Sequence, residues 1–141
     1  MIILKIGIVS DVHSNIKALE ETFKYFEKEK VEKIICIGDV IGIGPFPKEC
    51  IDFLIANENK ILSFVRGNHE NYLVKGLSRK NHNDENAKPM TDEQMSTHYW
   101  NHSRLDKKEK ELRQKFSANS KRIPFHSAEQ QRFTRISITI S

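Results

Sequence analysis

Apolar residues in the first 70 positions follow two alternating periods. Near-continuous apolar runs at residues 2–9 (interrupted by Lys5), 33–37 and 61–65 read as strands, and the continuity of the first fits a strand covered on both faces. Between the first two, Ile16, Leu19, Phe23 and Phe26 recur at helical spacing, and Ser14 or Asn15 can cap that helix. Pro47 suits the first turn of a second helix, whose inner face is Ile51, Leu54 and Ile55. The predicted order is β-α-β-α-β. Two right-handed crossovers of this kind build a parallel sheet with helices packed on it, an α/β architecture.

The second half is less regular. Residues 71–90 are mostly polar, punctuated by Asn81, Asn83, Asn86 and Pro89, and read as a loop with one helical turn near 72–77. Thr91 with Gln94 three positions later forms a capping box, which opens a helix over 92–101 with Met95 and Tyr99 on one face. Asp106 with Glu109 forms a second box and predicts a helix running toward Phe116. Within 135–141, Ile136, Ile138 and Ile140 alternate as in a half-buried strand.

The 141 residues suit one compact core, and 38% hydrophobic with 30% charged residues lies above the regime of disordered chains. No apolar run reaches the roughly 20 residues of a bilayer span, and Met1 leads into a strand rather than a secretory signal. The expectation is a cytoplasmic protein without a membrane segment. Cys36 and Cys50 form no C-x-x-C pair and read as buried thiols. Charge is uneven: nine basic against eleven acidic residues in 1–70, fourteen against eight in 71–141. The basic half leaves attraction of phosphate-bearing ligands or nucleic acid open, although Lys107, Lys108, Lys110, Arg113 and Lys115 interleave with Glu109 and Glu111 as on a solvated helix face.

A polar cluster follows each of the three opening strands: Asp11 and His13, then Gly38, Asp39 and Gly42, then Gly67, Asn68, His69 and Glu70. Loops beyond the carboxyl ends of adjacent parallel strands line one crevice, so these groups should converge. Two carboxylates, two imidazoles and a carboxamide gathered there call for a counter-charge, and a divalent cation supplies it. Oxygen and imidazole donors without thiolate suit Mn²⁺, Fe²⁺/³⁺, Zn²⁺ or Ni²⁺ better than Ca²⁺. Taken singly, Asp11 reads as a helix cap, Gly38-Asp39 as a turn and Gly67-Asn68-His69 as a strand exit. All three in series favour a metal site.

The series resembles the calcineurin-like metallophosphoesterases, specifically their small prokaryotic phosphodiesterase branch. It runs from Ile8 through Asp11 and His13 to Asn15, from Cys36 through Asp39 to Pro45, and from Val65 through Asn68 and His69 to Glu70, with weaker similarity as far as residues 116–124. The resemblance implies a four-layer α-β-β-α sandwich, of which this chain carries the N-terminal β-α-β-α-β portion. It also implies a two-metal centre acting on phosphodiesters or phosphomonoesters through a metal-bridging hydroxide, with manganese first among the candidate cations. Asp11 and His13 would bind the first metal, Asp39 would bridge, Asn68 would bind the second, and His69 would assist departure of the leaving oxygen. Glu70 stands where the family more often has Asp.

The later Gly-His and Gly-His-x-His motifs of that family are missing here; the remaining histidines, His82, His98, His102 and His126, follow no glycine. His98 and His102, four apart, read as helix surface. The expectation is therefore a shortened family domain over 1–124 with a tail at 125–141. A three-stranded sheet with one bare face should self-associate or pair with a complementing chain. A non-catalytic remnant holding a partial metal site is the competing reading; nucleotide binding alone is disfavoured, since neither G-x-G-x-x-G nor a G-K-[ST] loop is present.

Overall fold

The computed structural model describes residues 5–79, 86 and 88–106, and the backbone of 134–139. The elements run β1 (Lys5–Ser10), α1 (Ile16–Lys28), β2 (Lys33–Cys36), α2 (Pro47–Ala56), a 3-10 turn (Glu58–Lys60), β3 (Ile61–Phe64), α3 (Asn68–Lys75), α4 (Asp92–Ser103) and β4 (Thr134–Thr139). The β-α-β-α-β start is as expected from the apolar periods. Asn15 is the cap of α1, its side chain accepting from the Ala18 amide at 3.1 Å, and the Thr91–Gln94 box opens α4. Residues 2–4, the predicted helix toward Phe116, His82, His126 and Ile140 lie outside the described residues.

The strands form one parallel sheet in the order β3-β2-β1-β4. Ile8 pairs with Ile35 of β2 and with Ser137 of β4, so β1 is central and the sheet has four strands where three had been expected. Val9, Ile34, Cys36 and Phe64 point into a core shared with Leu19, Phe23 and Phe26 of α1 and Ile51 and Leu54 of α2. Phe26 lies so close over Gly7 that a Cβ there would meet its ring at 2.8 Å, which lets α1 settle on the sheet. Side chains of the opposite face, including Ile8 and Ile35, are partly exposed.

The reading of the second half is corrected at α3 and extended at α4. The helical turn near 72–77 is α3, which starts four residues earlier at Asn68, so the Gly67-Asn68-His69-Glu70 cluster is itself a helix start. Gly67 takes the N-cap position and the Glu70 side chain accepts from the Gly67 amide at 2.8 Å, a bond that propensity counting does not register. In α4, Tyr99 is exposed and His98 and Asn101 are the buried residues. The fully buried positions of α4 are therefore polar, and Met95 is half-buried.

Candidate metal centre

The loops leaving β1 and β2 are zipped together by backbone bonds: the amides of Asp11, His13 and Ser14 donate to the carbonyls of Gly38, Asp39 and Val40 at 3.2, 2.9 and 2.7 Å. Asp11, His13, Ser14 and Asp39 all have left-handed backbones, with φ of 56°, 46°, 62° and 53°. Each such residue costs about 1 kcal/mol or more and persists where its surroundings over-determine it. Here the strain turns three side chains toward one another. Donor atoms of Asp11, His13 and Asp39 lie within 4.8 Å of each other, the convergence that the strand exits predicted.

The donor set fits a divalent cation. His13 Nε2 is 3.7 Å from Asp11 Oδ1, Ser10 Oγ donates to Asp11 Oδ2, and the inaccessible His13 Nδ1 has no hydrogen-bond partner. Asp39 Oδ1 accepts from the His69 amide at 3.0 Å. Gly67 makes room for that carboxylate: a Cβ there would stand 2.1 Å from Asp39 Oδ1. Two carboxylates and an imidazole in partly buried positions, without a lysine or arginine bonded to them among the described residues, leave negative charge that a cation offsets.

The third strand exit contributes in a way that the sequence reading did not resolve. Glu70 is 0% exposed, and its carboxylate gathers four backbone amides. Oε2 accepts from Asp39 and Gly67, both at 2.8 Å, and Oε1 from Val40 at 2.8 Å and Ile41 at 3.2 Å. It therefore ties the β2 loop to the start of α3. The signal was present in the sequence as an acidic residue three positions past a glycine N-cap, but three of its four amide partners lie about thirty residues away.

Asn68 opens α3, is exposed, and lines a cavity of about 430 Å³ together with His69. The His69 ring meets His13 edge-on at 4.7 Å and lies 4.9 Å from His98. Burial pushes its pKa down to about 4; the Asp39 carboxylate opposes that shift, while His13 and His98 reinforce it. The imidazole is thus neutral at neutral pH in the metal-free protein. Gly42, at φ +132°, leaves the space: a Cβ there would stand 2.1 Å from His69 Nδ1.

His98 and His102 correct the helix-surface expectation in part. His98 is 7% exposed and packs against both His69 and Tyr72, the latter at 5.3 Å; burial lowers its pKa, reinforced by His13. His102 is half-buried and 6.0 Å from His98. Asn101, not singled out from the sequence, is 0% exposed. It accepts from the Gly42 amide at 3.0 Å and donates to Gly44 O at 2.9 Å and Ser14 Oγ at 3.2 Å. One carboxamide thereby clamps α4 to the loops after β1 and β2.

Comparison with known proteins bears on the family and the fold. A calcineurin-like phosphoesterase family model matches residues 4–131. An uncharacterized protein of Methanocaldococcus jannaschii is 37% identical over 65 residues, covering 46% of this chain and 26% of that protein. Two solved structures share the fold. A metallophosphoesterase of Sphaerobacter thermophilus has a TM-score of 0.56 at 24% identity, over 79% of this chain and 40% of its own. A hypothetical protein of Pyrococcus horikoshii has 0.55 at 19%, over 74% and 44%. The chain thus spans about a quarter of the curated relative and under half of each solved one. Among the described residues no helix is long and apolar enough to cross a membrane. The family match covers most of the sequence and takes in all three strand exits, so the chain belongs to the calcineurin-like phosphoesterase family.

Proposed function

We propose that this chain carries the metal-binding portion of a phosphoesterase and hydrolyses phosphodiester or phosphomonoester bonds. The observation that carries the reading is the convergence of Asp11, His13 and Asp39 donor atoms within 4.8 Å at the exits of β1 and β2. A divalent cation held there supplies Lewis acidity, offsetting charge on the phosphoryl oxygens and making a water more acidic. Manganese is the proposed cation, with iron, zinc and nickel as alternatives suited to the same oxygen and imidazole donors. Asp39 is the proposed bridging ligand, because a carboxylate offers two oxygens. Asn68 would bind the second cation, since its neutral carbonyl adds no charge to repel a phosphate.

His69 is assigned the leaving-group side. Its ring stands between the carboxylate cluster and the cavity, where a neutral imidazole would donate an N–H hydrogen bond to the departing oxygen and assist its departure. The test is hydrolysis of bis(4-nitrophenyl) phosphate and 4-nitrophenyl phosphate by purified protein with each of the four metals. Turnover that vanishes in Asp39→Asn and falls by about 100-fold or more in His69→Ala supports the reading. Absence of turnover with every metal overturns it.

A second reading, cation binding without turnover, is favoured by the donor count. Among the described residues a second cation has only Asp39 and Asn68 as proposed ligands, and the relatives are more than twice as long as this chain's match to them. In that case the chain binds one equivalent of metal, shows no hydrolysis, and acts with a complementing chain or a second copy of itself.

A further inference from the structure

The cavity beside the metal-ligand cluster has a distinct chemical character. Its volume is about 430 Å³, within the range of small-molecule sites and ample for a single ring system. Asn68 and His69 form the wall it shares with the centre, Ile43, Tyr72, Met90 and His98 supply apolar and aromatic surface, and Glu93, Gln94 and Thr97 of α4 complete it. Among the described lining residues there is no lysine or arginine, and Glu93 is the one carboxylate. Tyr72 and His98 meet at 5.3 Å with their planes 75° apart, a rigid aromatic corner whose position is fixed by the buried His98. An anionic group entering here would meet the Glu93 charge and lose water without gaining a cationic partner.

We propose that this cavity holds the alcohol side of the scissile ester and selects an uncharged, ring-bearing alcohol over one carrying a second anion. The proposal rests on the phosphoesterase reading for the word alcohol, but the site itself does not. With the phosphoryl group at the Asp11–His13–Asp39 cluster, the adjoining His69 lies between that cluster and the cavity. The ring then packs on the Tyr72 and His98 corner and against Ile43 and Met90, gaining apolar burial and edge-to-face contact. Glu93 disfavours a carboxylated or phosphorylated alcohol in the same place.

The test uses three phosphonates on the full chain loaded with Zn²⁺, with the Met90 and Ile43 methyl groups followed by NMR. Phenylphosphonate should bind about tenfold tighter than methylphosphonate and move both methyl signals, which methylphosphonate should leave in place. 4-Phosphonobenzoate should lose that gain and recover it in Glu93→Gln, a change on an exposed side chain that leaves the fold intact. Benzyl alcohol, which has no phosphoryl group, should move the same methyl signals at higher concentration. If benzyl alcohol moves them and no phosphonate binds, the phosphoesterase reading has failed while the ring site stands. Equal affinity for phenyl- and methylphosphonate, or methyl signals unmoved by both benzyl alcohol and phenylphosphonate, overturns the proposal. So does equal binding of 4-phosphonobenzoate and phenylphosphonate to the unsubstituted protein.

Discussion

Glu70→Gln isolates the least expected feature of the centre. The substitution keeps shape and volume but converts one carboxylate oxygen into an amino group. Each oxygen accepts two backbone amides, Asp39 and Gly67 on Oε2, Val40 and Ile41 on Oε1. Whichever oxygen is replaced, two N–H groups then face a donor in a site that is 0% exposed. A hydrogen bond to a charged group contributes about 1.5–3 kcal/mol, so the loss of two predicts about 3–6 kcal/mol. Domains have about 5–15 kcal/mol in total, which makes this a large fraction of the stability. The assay is equilibrium urea unfolding of the metal-free protein by far-UV circular dichroism, with the exposed Glu32→Gln as control. The control should stay within about 0.5 kcal/mol of the parent. Glu70→Gln should also weaken metal binding, because the amide of Asp39 is one of the four. A Glu70→Gln protein within about 0.5 kcal/mol of the parent would refute the reasoning, since the four amides would then need no carboxylate.

Three further outcomes follow from the same geometry. Gly42→Ala should disorder the His69 ring and lower any turnover more than it lowers cation affinity, because the new Cβ would stand 2.1 Å from His69 Nδ1 on a backbone at φ +132°; unchanged kinetics would contradict this. Asn101→Ala leaves the Gly42 amide and the Gly44 carbonyl without their partner and should cost about 1–3 kcal/mol in urea unfolding, with no loss counting against the clamp. Burial pushes the Cys36 and Cys50 thiols up to about 12, each above the ordinary value of 9.0. The unfolded chain therefore releases these protons first, so their contribution is intact below pH 9.0 and declines as the pH climbs from there toward about 12. Urea midpoints should fall over that window and fall less in a Cys36→Ala, Cys50→Ala protein measured against its own neutral-pH value; equal falls would contradict the assignment.

The strands, the first two helices and α4 were legible because their determinants are local: apolar runs, a helical stripe at Ile16, Leu19, Phe23 and Phe26, and caps at Asn15 and Thr91. Asp11, His13 and Asp39 were legible for a topological reason, since parallel strand exits share one crevice. Glu70 and Asn101 were not, because most of their partners are backbone amides and carbonyls of loops 29 to 59 residues distant. Polar residues satisfied by such loops carry no periodic signature. The same cause explains His98, whose place on the inner face of α4 follows from packing against His69 and Tyr72 rather than from its own polarity. The alternation at Ile136 and Ile138 announced a strand, yet its pairing beside β1 depends on long-range register.

The most direct measurement is calorimetric titration of the metal-free protein with Mn²⁺ and Zn²⁺, alongside Asp11→Asn, His13→Ala and Asp39→Asn variants shown to be folded by circular dichroism. The account predicts at least one equivalent bound per chain and an affinity about tenfold or more weaker in each variant. Binding that is absent from the parent protein, or that persists undiminished in all three variants, would contradict it.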